Sequence, residues 1–463
     1  MDERQILRFL GQATFGASVP DFWTVRAVGP SAWLDVQMSM PASEHRPLVA
    51  QLGTQPGDRQ AVWWKHALTA PDQLRQRVAF ALSEILVISD ASDALHADPV
   101  GCAEFYDILV RGAFGSYRDL LRNVCLSPQM GRYLSHLRNA KANPAAGTTP
   151  DENFAREIMQ LFSIGLWQLQ PNGTRTQPET PSYTMADVTE MARVFTGWIY
   201  AGAISWWDYS ANHQPMVAMA AFHDQGSKSI LGTSLPANQG ALADLDSVVN
   251  WLANHPNCAP FLSRLLIQRL TVSQPSPSYV ADVASVWLSS NGNLGDVVRA
   301  ILLHPEAQTG TKMREPILLQ TAIWRVLGAT SQSGQWRFDL PDYAFGQASL
   351  RAPSVFGWWQ PDGTPAPEAA GQTHVTRMET INQLYRCLYE PADIRVDLSF
   401  LTALAAQSTA WLVFYVDVAL RGGLLQSDER AVLEQHLAQI ADPATRARDA
   451  VWIVMASPRA MMA

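Results

Sequence analysis

Apolar residues recur at three- and four-residue spacing along most of the chain, which is the pattern of amphipathic α-helices. Pro and Gly separate these segments, as at Ser127-Pro128 and His304-Pro305. The pattern predicts helices over 3–14, 58–68, 71–88, 101–112, 116–125, 128–139, 150–165, 184–198, 242–255, 257–272, 276–290, 293–304, 312–328, 374–389, 397–406, 408–423, 426–440 and 443–457. The predicted fold class is therefore mainly α, as a single large multi-helix domain over residues 1–463.

Two irregular stretches, 200–232 and 329–371, interrupt the helical pattern and are predicted to be loop insertions with a few short strands. The first has short apolar pieces broken by turn residues, so it is expected to hold a small hairpin or an ordered loop. Long loops in a helical domain are usually functional or disordered. We expect both stretches to be ordered loops that cover a site, because each carries a pair of adjacent tryptophans: Trp206 and Trp207 in the first, Trp358 and Trp359 in the second.

The segment 149–198 is the most informative part of the chain, because two helical patterns there flank a loop rich in Gly, Pro and Thr. On the first helix, Asn153, Arg156 and Glu157 share a polar arc opposite a broad apolar side. Glu157 lies too deep in the helix to be a cap, so it is either a solvated residue or part of a site. Glu152, by contrast, is expected to complete a capping box with Thr149.

The second helix of this segment begins at Thr184, with Asp187 as its expected capping partner. Glu190 and Arg193 stand three residues apart on its polar arc and are able to pair with each other. If the polar arcs of the two helices face each other, Arg156 and Glu157 join them in a buried charged cluster. Such clusters shift pKa values and are either acid/base sites or structural networks.

The loop at 222–228 places His223, Asp224 and Lys228 close together, with the turn residues Gly226 and Ser227 between Asp224 and Lys228. Such a loop is suited to presenting polar groups to a ligand, although an Asx-type turn at Asp224 explains it equally. Gln268-Arg269 and Arg314-Glu315 also place charge within apolar runs. Residues of that kind are most often paired at the edge of a core, because unpaired burial of a charge is costly.

Composition excludes several classes of function. The formal charge of −8, without a basic cluster, argues against a nucleic-acid partner. The chain lacks the motifs of zinc proteases, P-loop enzymes, EF-hands and α/β-hydrolases, so we expect no metal and no cofactor. The four cysteines form no CxxC pair, and an even number permits disulfides without requiring them. The 16 tryptophans are typical either of aromatic platforms for sugars or of a large helical core.

No apolar run is long enough to span a membrane, and the first residues, MDERQILRFL, do not read as a secretory leader. We therefore expect a periplasmic or extracellular location if a leader has been removed, and a cytoplasmic one otherwise.

Several segments together resemble a large bacterial family known only as domain of unknown function number 1800. They cover nearly the whole chain and include RFLGQATFGAS at 8–18, QRVAFALSEILVIS at 76–89, PDENFAREIMQLFSIGLWQL at 150–169, FHDQGSKSILG at 222–232 and KMREPILL at 312–319. The resemblance implies one large helical domain, typically exported, but no reaction. Family members commonly carry a Trp-His-Asn-His stretch where this chain reads AFALSE at 79–84, so no role of those histidines carries over.

Two hypotheses of function follow from these residues. The first is an exported hydrolase or lyase that acts on a polysaccharide or other envelope polymer by carboxylate acid/base catalysis. Its predicted catalytic residues are Glu157, Glu190 and Asp224, and its predicted substrate-binding residues are Arg156, Asn153, His223, Lys228, Trp206, Trp207, Trp358 and Trp359. The second is a non-enzymatic helical scaffold that binds a glycan or a partner protein at the cell envelope.

Overall fold

The computed structural model describes residues 1–53, 55–209, 213–312, 314–337, 342, 346–358, 360, 382–389 and 392–456. Helices dominate these residues. The first half contains α1 (Glu3–Ala13), α2 (Val19–Val28), α3 (Pro30–Ser39), α4 (Arg46–Leu52), α5 (Pro56–Thr69), α6 (Gln73–Ser83), α7 (Pro99–Gly112), α8 (Tyr117–Cys125), α9 (Pro128–Tyr133), α10 (Asn153–Gln160) and α11 (Met185–Val194). The second half contains α12 (Ala241–Ala253), α13 (Cys258–Leu270), α14 (Pro277–Ser289), α15 (Leu294–Leu303), α16 (Pro316–Val326), α17 (382–389), α18 (Ser399–Gln407), α19 (Thr409–Arg421), α20 (Ser427–Ala438) and α21 (Pro443–Ala456).

Strands are short and form only two-stranded sheets in the described residues. Each pair is antiparallel: β1 (Trp198–Ile199) with β2 (Val217–Ala218), β3 (Lys228–Ile230) with β4 (Thr233–Leu235), and β5 (Thr330–Ser331) with β6 (Ile394–Arg395). Of the two structures expected for 200–232, a small hairpin is present, but it runs past that stretch because β4 begins at Thr233. The predicted fold class, mainly α in a single large domain with a few short strands in the loops, is confirmed.

The core is organised around two helices that are buried on almost all sides. In α6 every residue except Arg75 is buried, and in α16 every residue except Arg325 is buried. A helix that is buried all round lies in the interior of a large domain. One continuous set of buried apolar residues extends from Ile6 to Met455 and surrounds these two helices. In addition to apolar residues, α6 carries polar residues into this core.

Most of the tryptophans serve this core. Trp63 packs edge-on against Trp64 at 5.2 Å, and Trp64 against Trp324 at 5.3 Å. Trp198 is also fully buried. Aromatic pairs at these centroid distances stabilise a core beyond the area that they bury. The abundance of tryptophan is thus mainly structural, with exposed rings at only a few described positions such as Trp207 and Trp411.

Local differences from the predicted elements have identifiable causes. The segments α2, α3 and α4 were not predicted as helices, since few of their residues are buried and their apolar positions do not recur regularly. The prediction that Thr149 caps the helix after it was wrong. Glu152 itself stands at the N-cap of α10 without a side-chain cap, and its carboxylate accepts a hydrogen bond from Thr189 at 2.8 Å. The predicted capping box of Thr184 and Asp187 is present.

Candidate functional site

Two of the predicted catalytic residues, Glu190 and Asp224, lie in an ion-pair cluster around Arg193. Its Nε and Nη2 atoms donate to both carboxylate oxygens of Asp224 at 2.9 and 3.0 Å, and its Nη1 donates to Glu190 at 2.7 Å. Glu190 also accepts from the backbone of Ser229, at the start of the β3–β4 hairpin. Burial opposes ionisation of Asp224, but the hydrogen bonds from Arg193 outweigh it and hold the pKa of Asp224 below its ordinary value. This arrangement fastens the hairpin to α11.

His223 and Lys228 form a second, deeper cluster around Asp244. Lys228 Nζ donates to Asp244 at 2.7 Å and to the carbonyls of Asp224 and Gly226 at 2.6 and 3.1 Å. His223 Nε2 lies 3.2 Å from the same carboxylate. All three side chains are almost completely buried. The ammonium of Lys228 is fully engaged within the protein, which is the geometry of a structural network.

Glu157 lies apart from these acids. Its side chain is buried with Oε2 lacking a hydrogen-bond partner among the described residues, and burial raises its pKa against the opposing charge of Arg156. Arg156 instead forms an ion pair with Glu152 at 3.6 Å, and Asn153 is exposed. The predicted common cluster of Arg156, Glu157, Glu190 and Arg193 is therefore wrong: Arg193 turns to the hairpin and Arg156 to its own helix.

The tryptophans of the two loops do not form one platform. Trp206 is buried and stacks on Phe222 at 3.9 Å, whereas Trp207 is exposed beside Arg138 at 5.7 Å. Trp358 is buried, and its Nε1 donates to the carbonyl of Ala348 at 3.2 Å. Trp359 lies outside the described residues. The catalytic and binding roles assigned to these residues and to the acids remain predictions, and this geometry does not favour them.

A pocket of about 560 Å³ lies elsewhere, between α13, the loop after α10 and the residues that follow Ser354. Its wall is mainly apolar and aromatic, with Trp167, Phe261 and Phe356. The charged groups among its described lining residues are one carboxyl group and three guanidinium groups, those of Glu84, Arg175, Arg264 and Arg269. Pockets of this size, with apolar walls and few polar groups, are the usual form of a ligand site. None of the described residues predicted for the site lines it.

Local structure brings Trp167 to the rim of this pocket. Gly165 has a φ of +71°, and a Cβ atom there would lie 2.9 Å from the ring of Phe261. Glycine at this position therefore lets the loop turn tightly against α13. Buried Asn257 then fixes the loop, donating to the carbonyls of Ile164 and Trp167 at 2.9 and 2.8 Å. Arg175 lies over the Trp167 ring at 5.1 Å, so a cation and an aromatic face border the pocket together.

At its floor, Glu84 belongs to a buried charge cluster built from three helices. Glu84 ends α6, Arg269 comes from α13, and Glu315 stands before α16. Arg269 Nη1 lies 3.3 Å from Glu315 and 3.9 Å from Glu84 Oε2. Glu315 further accepts from Gln347 at 2.6 Å and lies 3.9 Å from Lys312. Glu84 Oε2, in contrast, has no hydrogen-bond partner among the described residues.

The surroundings shift the pKa values of Glu84 and Glu315 in opposite directions. Burial, reinforced by the charge of Glu315, raises the pKa of Glu84 from 4.5 to about 8. Burial also opposes ionisation of Glu315, but Arg269 and Lys312 outweigh it and lower the pKa of Glu315. The surroundings thus favour the protonated form of Glu84 and the ionised form of Glu315. Pairs whose environments separate their pKa values in this way are characteristic of acid/base sites.

Comparison with known proteins identifies the chain. The family model described as "Protein of unknown function (DUF1800)" matches residues 8–462, which is nearly its whole length. The chain belongs to the DUF1800 family. No curated protein and no solved structure matches it. The description of the family names no reaction.

The sequence of this DUF1800 protein did contain a signal for the pocket. Glu84 is a single carboxylate within the apolar run ALSEILVIS, and Arg269 and Glu315 are charges in apolar runs as well. Buried charges are expected to be paired or functional. Their proximity was not predictable, because Glu84 and Arg269 are 185 residues apart along the chain.

Within the described ranges of this DUF1800 chain, no group of three or more His, Cys, Asp or Glu side chains is placed to hold a metal ion. A search of the same residues finds no helix long and apolar enough to cross a membrane.

Proposed function

We propose that the protein is an acid/base enzyme of polysaccharides, and that its substrate is an acidic polymer bound in the pocket at Glu84. The proposal depends on one observation above all: a buried carboxyl group whose pKa is raised to about 8 lines a pocket of about 560 Å³. Catalytic acids and bases work best when their pKa lies close to the working pH.

The charges of the pocket support an anionic substrate. Arg175, Arg264 and Arg269 line it, while Glu84 is the one acid among the described lining residues and is largely neutral at pH 7. Guanidinium groups bind carboxylates with two parallel hydrogen bonds, which suits the uronate sugars of acidic polysaccharides. The exposed side chains of Leu166 and Phe356 and the ring of Trp167 provide apolar surface for sugar rings.

Among the predicted alternatives, these residues favour a lyase over a hydrolase. Hydrolysis of a glycoside normally requires two carboxyl groups across the cleft, whereas the described lining residues include only Glu84. In an elimination, ionised Glu84 takes the proton from the carbon beside the uronate carboxylate. The electrons of that C–H bond form a C=C bond with the next carbon, and the bond from that carbon to the leaving oxygen breaks. Glu84 then returns that proton to the leaving oxygen, and an arginine neutralises the charge that develops on the uronate.

The test is to incubate the protein with a panel of acidic and neutral polysaccharides. Elimination leaves an unsaturated uronate that absorbs ultraviolet light, and hydrolysis leaves new reducing ends without that absorbance. We expect absorbance from acidic polymers, with a rate that rises as pH increases through about 8, where Glu84 ionises. Glu84→Gln should lower the rate by about 10²- to 10⁴-fold.

Glu157→Gln is the matched control, because it neutralises another buried acid that lies outside this pocket. If Glu157→Gln loses activity while Glu84→Gln keeps it, the catalytic acid is Glu157 on α10 and the pocket at Glu84 is not the active site. Reducing ends without absorbance would favour the hydrolase. If neither product forms but the protein is retained on an acidic polymer, the scaffold hypothesis is the better one.

A further inference from the structure

A second, smaller cavity lies between α1, α6, the end of α13 and the start of α16. Its volume is about 40 Å³, and its polar lining is dominated by four basic side chains, those of Arg8, Arg77, Lys312 and Arg314. No acidic residue is among the described residues that line it. A cavity needs about 10–15 Å³ to hold one water molecule, so this one has room for a few water molecules or a compact ion.

Lys312 lies 3.9 Å from Glu315, but the three arginines of this cavity have no ion-pair partner among the described residues. Within the described residues, no carboxylate lies within 4.0 Å of Arg8, Arg77 or Arg314. Arg314 is buried, and its Nη1 donates only to a backbone carbonyl, that of Leu420, at 2.7 Å. Burial, together with the charges of Arg8 and Arg77, lowers the pKa of Arg314 to about 10.

Arg77 provides the clearest indication of an anion site in this cavity. It is 2% exposed, and its Nη2 donates to the carbonyl of Arg269 at 2.7 Å. Its Nε and Nη1 have no hydrogen-bond partner among the described residues. An arginine does not release its proton in a protein, so burial cannot neutralise it. Buried charges are normally paired, because each unpaired ion costs several kcal/mol.

We propose that this cavity is a binding site for a small inorganic anion, of the size of chloride or phosphate, held by Arg8, Arg77, Lys312 and Arg314. The arginines offer directed N–H donors and Lys312 a compact charge. The cavity volume excludes nucleotides and sugars. The bound anion would neutralise the junction of three helices and so stabilise the fold. This inference does not depend on the proposed lyase activity.

Thermal unfolding in buffers of constant ionic strength tests the site. Gluconate, which is too large for the cavity, would be replaced stepwise by chloride in one series and by phosphate in another. A ligand that binds only the folded state raises stability with its concentration. We therefore expect a saturable rise of the unfolding temperature with at least one of the two anions, and the series that saturates identifies whether a halide or an oxyanion is preferred.

Arg314→Met is the decisive variant, and Arg26→Met is its control. The control loses the same charge at an exposed position, where Arg26 pairs with Glu3 at 2.6 Å. We expect Arg314→Met to bind the anion at least about tenfold more weakly, from the loss of a charge-assisted hydrogen bond. Arg26→Met should respond as the wild type does. An equal response in all three proteins, or none in the wild type, would overturn the proposal.

If Arg314→Met does not fold, Arg8→Gln takes its place, because Arg8 is only partly buried at the edge of the cavity. A crystal grown in bromide gives a measurement that needs no variant. If chloride is the anion that stabilises the protein, an anomalous peak between Arg77 and Arg314 would support the site. If chloride stabilises the protein but no such peak is found, the proposal is overturned.

Discussion

The raised pKa of Glu84 has a consequence for stability that does not depend on any substrate. Between about pH 4.5 and 8 the folded protein keeps the Glu84 proton that the unfolded chain has released. The folded state therefore binds more protons than the unfolded state, and its stability falls as pH rises through this window. The ordinary pKa of 4.5 and the folded value of about 8 differ by an amount that corresponds to about 5 kcal/mol.

Replacing Glu84 by Gln removes this proton-linked cost while keeping the shape of the neutral side chain. We expect Glu84→Gln to resemble the wild type at pH 5 and to be more stable by roughly 3–5 kcal/mol at pH 9. That gain is large compared with a total folding stability of about 5–15 kcal/mol. Urea unfolding at pH 5, 7 and 9 measures the difference directly.

The control is Glu179→Gln, which neutralises an exposed glutamate that pairs with Arg175 at 3.1 Å. It should change stability by less than about 1 kcal/mol at every pH. A second comparison is Glu315→Gln, which leaves Arg269 and Lys312 without their main counter-charge and should destabilise the protein at pH 7. If Glu84→Gln gains no stability over the wild type between pH 5 and pH 9, Glu84 is ionised in the folded protein and the acid/base argument fails.

Three further predictions test other parts of the structure. Lys228→Met removes the buried partner of Asp244, so urea unfolding should show a loss of about 3 kcal/mol; unchanged stability with weaker substrate binding would favour the ligand role instead. All four cysteines are buried and free, so a thiol reagent should label none in the native protein and four after unfolding, and fewer would indicate a disulfide. Trp167→Ala should weaken retention on an acidic polysaccharide about three- to tenfold, as judged by affinity electrophoresis, whereas Trp411→Ala, at an exposed ring outside the pocket, should not.

The ion pairs of the predicted site show that helix periodicity predicts contacts within one helix but not contacts between helices. Periodicity places Glu190 and Arg193 on one polar arc of α11, and they do pair at 2.7 Å. It does not specify what that arc meets, and the arc meets Asp224 and the β3–β4 hairpin rather than α10. Local spacing fixes which side chains share a face, but the partner of that face depends on contacts between segments far apart in the chain.

The sequence by itself determined the helical class, the family and local features such as the Thr184–Asp187 capping box, because each depends on residues within one or two turns. Only the tertiary structure decided that Glu84, Arg269 and Glu315 meet at the floor of a pocket. It also decided that the pKa of Glu84 is raised while that of Glu315 is lowered, since both are buried glutamates and differ in the charges placed around them. The physical reason is that burial and charge act through space, and the packing of α6, α13 and α16 sets those distances.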